Sequence, residues 1–157
     1  MKHPIALIAA IAFPTLAISA DTALDIAADF EKQKIAALTD YLAENPDAGD
    51  KDYAISTLVA SQMAIGEFGE VPPLLETRYE LQEKGPRADL QFIFSEIVRP
   101  FIEASVISNQ RDGAKAFVAK VKTDFAEHEQ SGQVGQCLDQ LSADLYLPGV
   151  GDTMDIA

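Results

Sequence analysis

The sequence predicts an all-α fold of about six helices in antiparallel pairs. Apolar residues recur every three or four positions through nearly the whole chain after residue 20, which is the period of an amphipathic helix. The alternation of Val, Ile and Thr with polar residues that is typical of strands is missing until the last few residues. Glycines and prolines divide the pattern into stretches with short connections, so we expect a bundle or a short repeat-like helical array.

The beginning of the chain has the three parts of a secretory signal peptide. Lys2 is followed by an apolar run from Ile5 to Ile18 and then by two small residues. The run is shorter than the roughly 20 residues needed to span a bilayer, which favours cleavage over a retained anchor. We therefore expect a signal peptide over residues 1–20, a helical domain over residues 21–146, and an exported, periplasmic protein.

The first two helices are marked by their ends. The first runs from about Thr22 to Glu44 and stops there because Pro46 pushes the residue before it out of the helical region. Its expected buried face contains Ala27, Phe30, Leu38, Tyr41 and Leu42. Asp50 or Asp52 is expected to cap the second helix, which two glycines interrupt. The buried face of the second helix contains Ile55, Leu58, Val59, Gln62 and Met63.

The third and fourth helices carry the prolines. Pro72 and Pro73 suit the first turn of the third helix, which is expected to close at Gly85. The fourth helix is the most apolar and is predicted to be central to the core, with a stripe of Leu90, Ile93, Phe94, Ile97, Val98, Phe101 and Ile102. Pro100 lies inside that stripe and cannot donate to the carbonyl of Glu96, so we expect a kink or break near Val98.

Two further helices complete the domain. Residues 109–113 are expected to connect the fourth helix to the fifth, whose stripe contains Phe117, Val121 and Phe125. The segment Ser131–Gly135 is predicted to be a loose connection because it holds two glycines. The sixth helix then presents Val134, Cys137, Leu138, Leu141 and Leu145.

One interval in the middle of the domain is similar to a tetratricopeptide unit. Gly69 and Pro86 have the spacing of that motif's turn glycine and closing proline. Gln62, Leu74 and Arg78 stand where the motif has small or aromatic residues. The similarity covers one unit, and it indicates a repeat-like architecture.

The charge of the chain excludes some partners. The formal net charge is −13, and loss of Lys2 with the signal peptide makes the mature chain one unit more negative. Nucleic acids and anionic membranes are bound by clustered Lys and Arg, which such a surface lacks. We therefore expect a protein or peptide partner with a basic surface, no nucleic acid, and no membrane contact after signal cleavage.

Two residues are candidates for chemistry, and both have a simpler interpretation. Cys137 is the only cysteine, so it has no redox partner, and its place on an apolar stripe predicts a buried core residue. His128 lies between two glutamates at the end of the fifth helix, where an imidazole interacts favourably with the helix carbonyls. A dyad of Cys137 and His128 would require the last two helices to bring the side chains within hydrogen-bond reach.

No stretch has the ligand spacing of a metal or cofactor site. Asp47–Asp52 superficially resembles a calcium loop, but it lacks the alternating ligands and the distal glutamate, so a turn followed by a helix cap is predicted. Glycine-rich phosphate loops and nucleophile elbows are also missing from the sequence. The sequence therefore predicts no catalytic, cofactor-binding or metal-ligating residue.

Residues 147–157 carry a family resemblance. A glycine, a short polar spacer and the beginning of an apolar strand stand there as Gly151, then Asp152 and Thr153, then the segment from Met154. This pattern resembles the junction that leads into the redoxin domain of exported TlpA-like thiol-disulfide oxidoreductases, some of which place a helical region before that domain. The resemblance implies that residues 147–157 are a linker or the start of a redoxin domain. The Cys-X-X-Cys motif is absent from this chain, so no catalytic residue is carried over.

Three functions compete on this basis. The first is a non-catalytic, exported helical region that supports a thioredoxin-like domain or recognises its partner. The second is a self-contained periplasmic adaptor that binds a protein or peptide in a groove between helix pairs. The third, enzymatic use of Cys137, requires an activated thiol.

Overall fold

The computed structural model describes residues 22–146. The helices are α1 (Ala23–Glu44), α2 (Lys51–Ala64), α3 (Val71–Glu80), α4 (Leu90–Ile93), α5 (Arg99–Ile107), α6 (Arg111–Asp124) and α7 (Ser131–Leu141). A π turn over Phe94–Val98 joins α4 to α5, and short 3-10 turns occupy Phe68–Glu70 and Ala143–Tyr146. The predicted signal peptide (1–20) and the predicted linker or domain start (147–157) lie outside the described residues.

The prediction of an all-α fold is confirmed. The described residues form six helical segments, counting α4, the π turn and α5 as one, and no strand occurs among them. Each segment packs against the next one along the chain, from α1 against α2 to α6 against α7. Between residues 22 and 146, no helix is long and apolar enough to cross a membrane.

The core surrounds the fourth segment, as its apolar stripe predicts. Ile93, Ile97 and Val98 are buried there, and Phe101 stacks on Phe117 of α6 with 4.0 Å between ring centroids. Phe117 in turn meets the ring of Tyr79 edge-on at 5.3 Å. These aromatic contacts join α3, α5 and α6 into one apolar core, which excludes water from the middle of the array.

The irregularity expected before Pro100 takes the form of the π turn. The amide of Arg99 donates to the carbonyl of Phe94, five residues back, instead of four. Pro100 then lies in the first turn of α5, where its missing amide costs little. The break predicted near Val98 is therefore present, as a π turn.

The structure corrects three of the predicted boundaries. Helix α3 ends at Glu80, before the predicted close at Gly85, and α6 begins at Arg111, inside the predicted connection over residues 109–113. Asn109 adopts a left-handed backbone with φ of 60°, which shortens that connection to a tight turn. The predicted loose connection over Ser131–Gly135 is wrong, because these residues form the beginning of α7.

The two glycines of α7 weaken the helix without preventing it. Each glycine costs roughly 1 kcal/mol relative to alanine in a helix interior. Val134 and Leu138 lie on the face that α7 turns to the core, and both are buried. Burying side chains of this size contributes about 1.5–3 kcal/mol each, so packing outweighs the local preference of the glycines.

Candidate functional site

Cys137 and His128 do not form a catalytic dyad. Cys137 is half-buried, whereas the sequence predicts a buried core residue, so that prediction is wrong. Nδ1 of His128 accepts the amide hydrogen of Gln130 at 3.1 Å, and its ring meets Phe125 edge-on at 5.7 Å. None of the hydrogen bonds found between residues 22 and 146 joins the two side chains.

The predicted role of His128 at a helix end is also corrected. Helix α6 ends at Asp124, four residues before the histidine, and Nδ1 acts as an acceptor for a turn amide. The imidazole therefore stabilises the turn between α6 and α7. It does not donate to the last carbonyls of the helix in any hydrogen bond of the described part of the chain.

The acidic turn before α2 is built from structural contacts. Asp50 is the N-cap residue of α2, but its carboxylate accepts the hydroxyl of Tyr41 at 2.6 Å and does not cap the helix amides. Asp52 reaches across to Arg78 on α3. Among the described residues, no group of three or more metal-ligating side chains converges on one point.

Arg78 is a buried charge that sequence reasoning did not identify. Its guanidinium donates to Asp52 through Nε at 3.0 Å and Nη2 at 3.2 Å, and lies over the ring of Phe92 at 4.9 Å. Nη1 also donates at 3.2 Å to the carbonyl of Glu96, the group whose ordinary helical donor is replaced by Pro100. Arg78 thus joins α2, α3 and the π turn. Its role is structural. The sequence held one indication of it, because Pro100 leaves the carbonyl of Glu96 in need of another donor.

A second polar cluster surrounds the buried ring of Tyr79. The hydroxyl of Tyr79 donates to Asp124 at 2.9 Å, and Lys84 and Lys120 place their ammonium groups over the ring at 4.6 and 4.9 Å. Lys120 also pairs with Asp124 and Glu80, at 2.8 Å in both cases. The hydrogen bond and ion pairs of this cluster join the C-terminal end of α3 to the C-terminal end of α6.

The charges of this cluster shift the pKa values of its members. Burial raises the pKa of Tyr79, and the neighbouring Asp124 carboxylate raises it further. Burial also acts to raise the pKa of Asp124, but hydrogen bonds from Lys120 and Tyr79 outweigh it and hold that pKa below its ordinary value. Lys120 and then Lys84 lower the pKa of Glu80. All of these shifts favour the paired state near neutral pH.

Helix α1 is the unusual element of the array. It begins with a capping box, in which Thr22 and Asp25 bind each other's backbone amides, and it ends at the predicted position before Pro46. Not one of its 22 residues is buried. Phe30 is 56% exposed, so its predicted place on the buried face is wrong. The helix packs mainly against α2.

The N-terminal end of α1 extends past its neighbour. The Ser61 hydroxyl of α2 lies close to the Glu31 carboxylate without a well-aligned hydrogen bond, and after Lys34 it is the next contributor that lowers the pKa of Glu31. Helix α2 ends one turn later, at Ala64. Because the two helices are antiparallel, the residues of α1 before Ala28 lie beyond the end of α2.

This free end is apolar around most of its circumference. Leu24 is 82% exposed, Ile26 41% and Phe30 56%. At about 100° per residue, these side chains and the alanines between them cover an arc of about 200°. We call this surface the α1 apolar end; it consists of Ala23, Leu24, Ile26, Ala27, Ala28 and Phe30. A helix that faces one neighbour needs an apolar stripe of only about 100°.

A groove separates α3 from α6 on another side of the molecule. The two helices run parallel, since Gln110 donates to the carbonyl of Gly69 at one end and Tyr79 binds Asp124 at the other. Between these ends they leave a groove of about 420 Å³. We call it the α3/α6 groove; it is lined by Pro72, Pro73, Glu76, Phe101, Gln110, Gly113, Ala116, Phe117 and Lys120.

Comparisons with protein-family models, with curated proteins and with solved structures find no match. Function is therefore inferred from the surfaces of the molecule. Among the surfaces of the described residues, the α1 apolar end and the α3/α6 groove are two places where a partner could bind.

Proposed function

We propose that this chain is a non-catalytic, exported helical module that binds a protein partner through the α1 apolar end. The observation that carries the proposal is a helix of 22 residues with none buried, whose free end is apolar over about 200°. Exposed apolar surface of this kind marks interaction sites in soluble proteins. The wide arc favours a partner with an apolar groove that encloses the helix end, as in helix-in-groove recognition.

The energetics agree with such a partner. Fully burying a leucine, isoleucine or phenylalanine contributes about 1.5–3 kcal/mol each, before the cost of association is subtracted. The nearest charges contribute little, because Lys32 pairs with Asp29 and Lys34 with Glu31 on the same helix. Binding should therefore depend on apolar contact and not on charge.

The test is capture of a partner from the exported fraction of the source cells. The variant Leu24→Gln, Ile26→Gln, Phe30→Gln keeps good helix formers in place and removes the apolar arc. We expect the unaltered chain to retain a specific partner in about 1 M salt, where the Debye length is about 3 Å, and the triple variant to lose it. The matched control is Tyr53→Gln, which removes another exposed apolar side chain, 74% exposed, from α2.

The outcomes of this test are distinct. Equal capture by the triple variant and the unaltered chain would rule out the α1 apolar end as the binding site. Loss of capture in the Tyr53 control as well would point to a general effect of surface polarity. Circular dichroism of each variant checks that the helical content is unchanged.

A more specific version of the proposal makes this chain the N-terminal helical region of a thioredoxin-like thiol-disulfide oxidoreductase. The resemblance of residues 147–157 to the junction before a redoxin domain supports it, with the helical module acting as support or as a recognition region. The coding sequence downstream of residue 157 tests this version: absence of a Cys-X-X-Cys motif within about a hundred codons would remove it. The self-contained adaptor would then be the remaining form of the proposal.

A further inference from the structure

We infer that the α3/α6 groove is a second binding site, which takes a short extended segment of a partner with a basic side chain. This inference is independent of the α1 apolar end, which shares no residue with the groove. It rests on the shape, the lining and the charge of the groove.

The walls of the groove are low and do not close over it. On the α6 side the rim residues are Gly113 and Ala116, one turn apart, and both are exposed. A Cβ atom added at Gly113 would find nothing within 4 Å. On the α3 side the exposed ring of Pro73 forms the rim. Such small and rigid side chains lose little conformational entropy when a ligand covers them.

The floor of the groove is apolar and fixed. It contains the stacked rings of Phe101 and Phe117, which are only 4% and 3% exposed. The ends are held by the Gln110 side chain on the Gly69 carbonyl, at 3.1 Å, and by the ion pair of Lys120 with Glu80. The groove is therefore preformed, as ligand sites usually are, and its volume of about 420 Å³ lies within their range of about 300–1,000 Å³.

The length of the groove sets the size of the extended segment that it would hold. Helix α6 rises about 15 Å from Gln110 to Lys120 at 1.5 Å per residue. An extended chain rises about 3.3 Å per residue, so the groove accommodates about four residues.

The charge of the groove selects a basic segment. Glu76 lies exposed on the rim, and no side chain of the described residues forms a hydrogen bond or ion pair with it. The one cation of the lining, Lys120, is already paired with Glu80 and Asp124. The whole chain carries a net charge of −13. A lysine or arginine of the partner would therefore meet a free carboxylate beside an apolar floor.

The experiment uses the purified protein and a labelled six-residue peptide of alternating lysine and leucine. A second peptide, with glutamate in place of lysine, reports on charge. We expect the basic peptide to shift the backbone amide resonances of Gly113, Ala116 and Glu76, and the acidic peptide to shift none of them. Fluorescence anisotropy gives the dissociation constants.

Two variants in the groove and two controls locate the binding. Glu76→Lys should weaken binding of the basic peptide by about five-fold or more, the effect of one close charge pair in water. Ala116→Phe, at an exposed position, should fill the groove and abolish binding. The matched control is Glu44→Lys, which makes the same charge change at the end of α1. The triple variant of the α1 apolar end should bind the peptide as the unaltered chain does.

Several results would overturn the inference. Equal weakening by Glu76→Lys and Glu44→Lys would mean general attraction to an acidic surface. Shifts confined to α1, or unimpaired binding to Ala116→Phe, would place the peptide elsewhere. Undetectable binding of the basic peptide at millimolar concentration would remove the site altogether.

Discussion

At the scale of single residues, Arg78 is the most constrained side chain. Its side chain is 7% exposed, whereas the side chain of its partner Asp52 is 41% exposed. Removing one partner or the other therefore has unequal costs. Without Arg78, the carboxylate of Asp52 is still solvated by water. Without Asp52, Arg78 is a buried charge that has lost its carboxylate partner. The cost of breaking a buried pair comes mainly from the charge that stays behind.

We therefore predict that Asp52→Ala is more destabilising than Arg78→Met. Asp52→Ala should lower the free energy of unfolding by about 3 kcal/mol, because it leaves the guanidinium uncompensated. Arg78→Met should cost about 1 kcal/mol, for the lost hydrogen bond to the Glu96 carbonyl, since methionine fills the space without a charge. Urea unfolding measures both.

The double variant completes this test. Asp52→Ala combined with Arg78→Met should resemble Arg78→Met alone, because no unpaired charge remains. As a control, Asp29→Ala breaks an exposed pair with Lys32 and should change stability by less than about 0.5 kcal/mol. Additive effects of the two single changes would show that Arg78 and Asp52 do not interact in solution.

The polar cluster at Tyr79 makes a prediction about pH. The lowered pKa values of Asp124 and Glu80 mean that their contribution to stability is present above their ordinary values of 3.8 and 4.5. It is lost as the pH falls through the lower values of the folded state. Tyr79→Phe removes one hydrogen bond to Asp124 and should cost about 1 kcal/mol at pH 7.

The difference in the free energy of unfolding between Tyr79→Phe and the unaltered chain should then narrow as the pH falls from the ordinary pKa of Asp124, 3.8, through its lowered pKa in the folded state. Urea unfolding at pH 7 and pH 3 measures the two differences. Tyr41→Phe is the control, because its hydroxyl donates to Asp50 in an exposed bond and its loss should stay within about 0.5 kcal/mol. An equal cost of Tyr79→Phe at both pH values would show that Asp124 does not titrate with this bond.

At the scale of helices, caps and prolines predicted where a helix stops, but glycines did not predict correctly where one begins. The boundaries of α1 followed from Thr22 and Pro46, because caps and prolines act on the backbone within one turn. The beginning of α7 was missed, since Gly132 and Gly135 indicate a loop locally while burial of Val134 decides the outcome. Packing against distant residues is not visible in a local pattern.

The glycines of α7 give a prediction of increased stability. Gly132→Ala and Gly135→Ala should each raise the free energy of unfolding by about 0.5–1 kcal/mol, because alanine has the higher helix propensity and fewer unfolded conformations. A Cβ atom at either position has nothing within 4 Å. Gly66→Ala is the opposite control: the φ of 81° at that residue disfavours a side chain, so this change should be destabilising.

Thermal unfolding of the three variants measures these effects. A decrease in stability for both α7 variants would mean that the segment from Ser131 to Gly135 is not helical in solution. The result would then support the loose connection that the sequence alone predicts.

At the scale of the whole molecule, the middle of the helical array contributes most of the buried core. The fourth segment and the helices beside it supply the buried core, whereas α1 has no buried residue and packs mainly against α2. The helical class could be predicted from periodicity, and so could the central place of the fourth segment. The candidate sites could not, because the α3/α6 groove joins residues more than 30 positions apart in the sequence. The free end of α1 likewise depends on where α2 stops.

This arrangement predicts a gradient of backbone stability along α1. A helical stretch shorter than about 12 residues is marginal in water unless it is packed, and the residues of α1 before Ala28 are exposed. Their amides should therefore exchange hydrogen fast, while the amides of Ile35 to Leu42, beside α2, should be protected. Hydrogen exchange followed by mass spectrometry measures both stretches in one experiment.

Addition of the partner should slow exchange in the residues before Ala28, because an enclosed helix end can open only when the partner leaves. Strong protection of that stretch in the isolated chain at low concentration would mean that the chain itself covers the α1 apolar end, and protection that grows with concentration would identify the partner as a second copy.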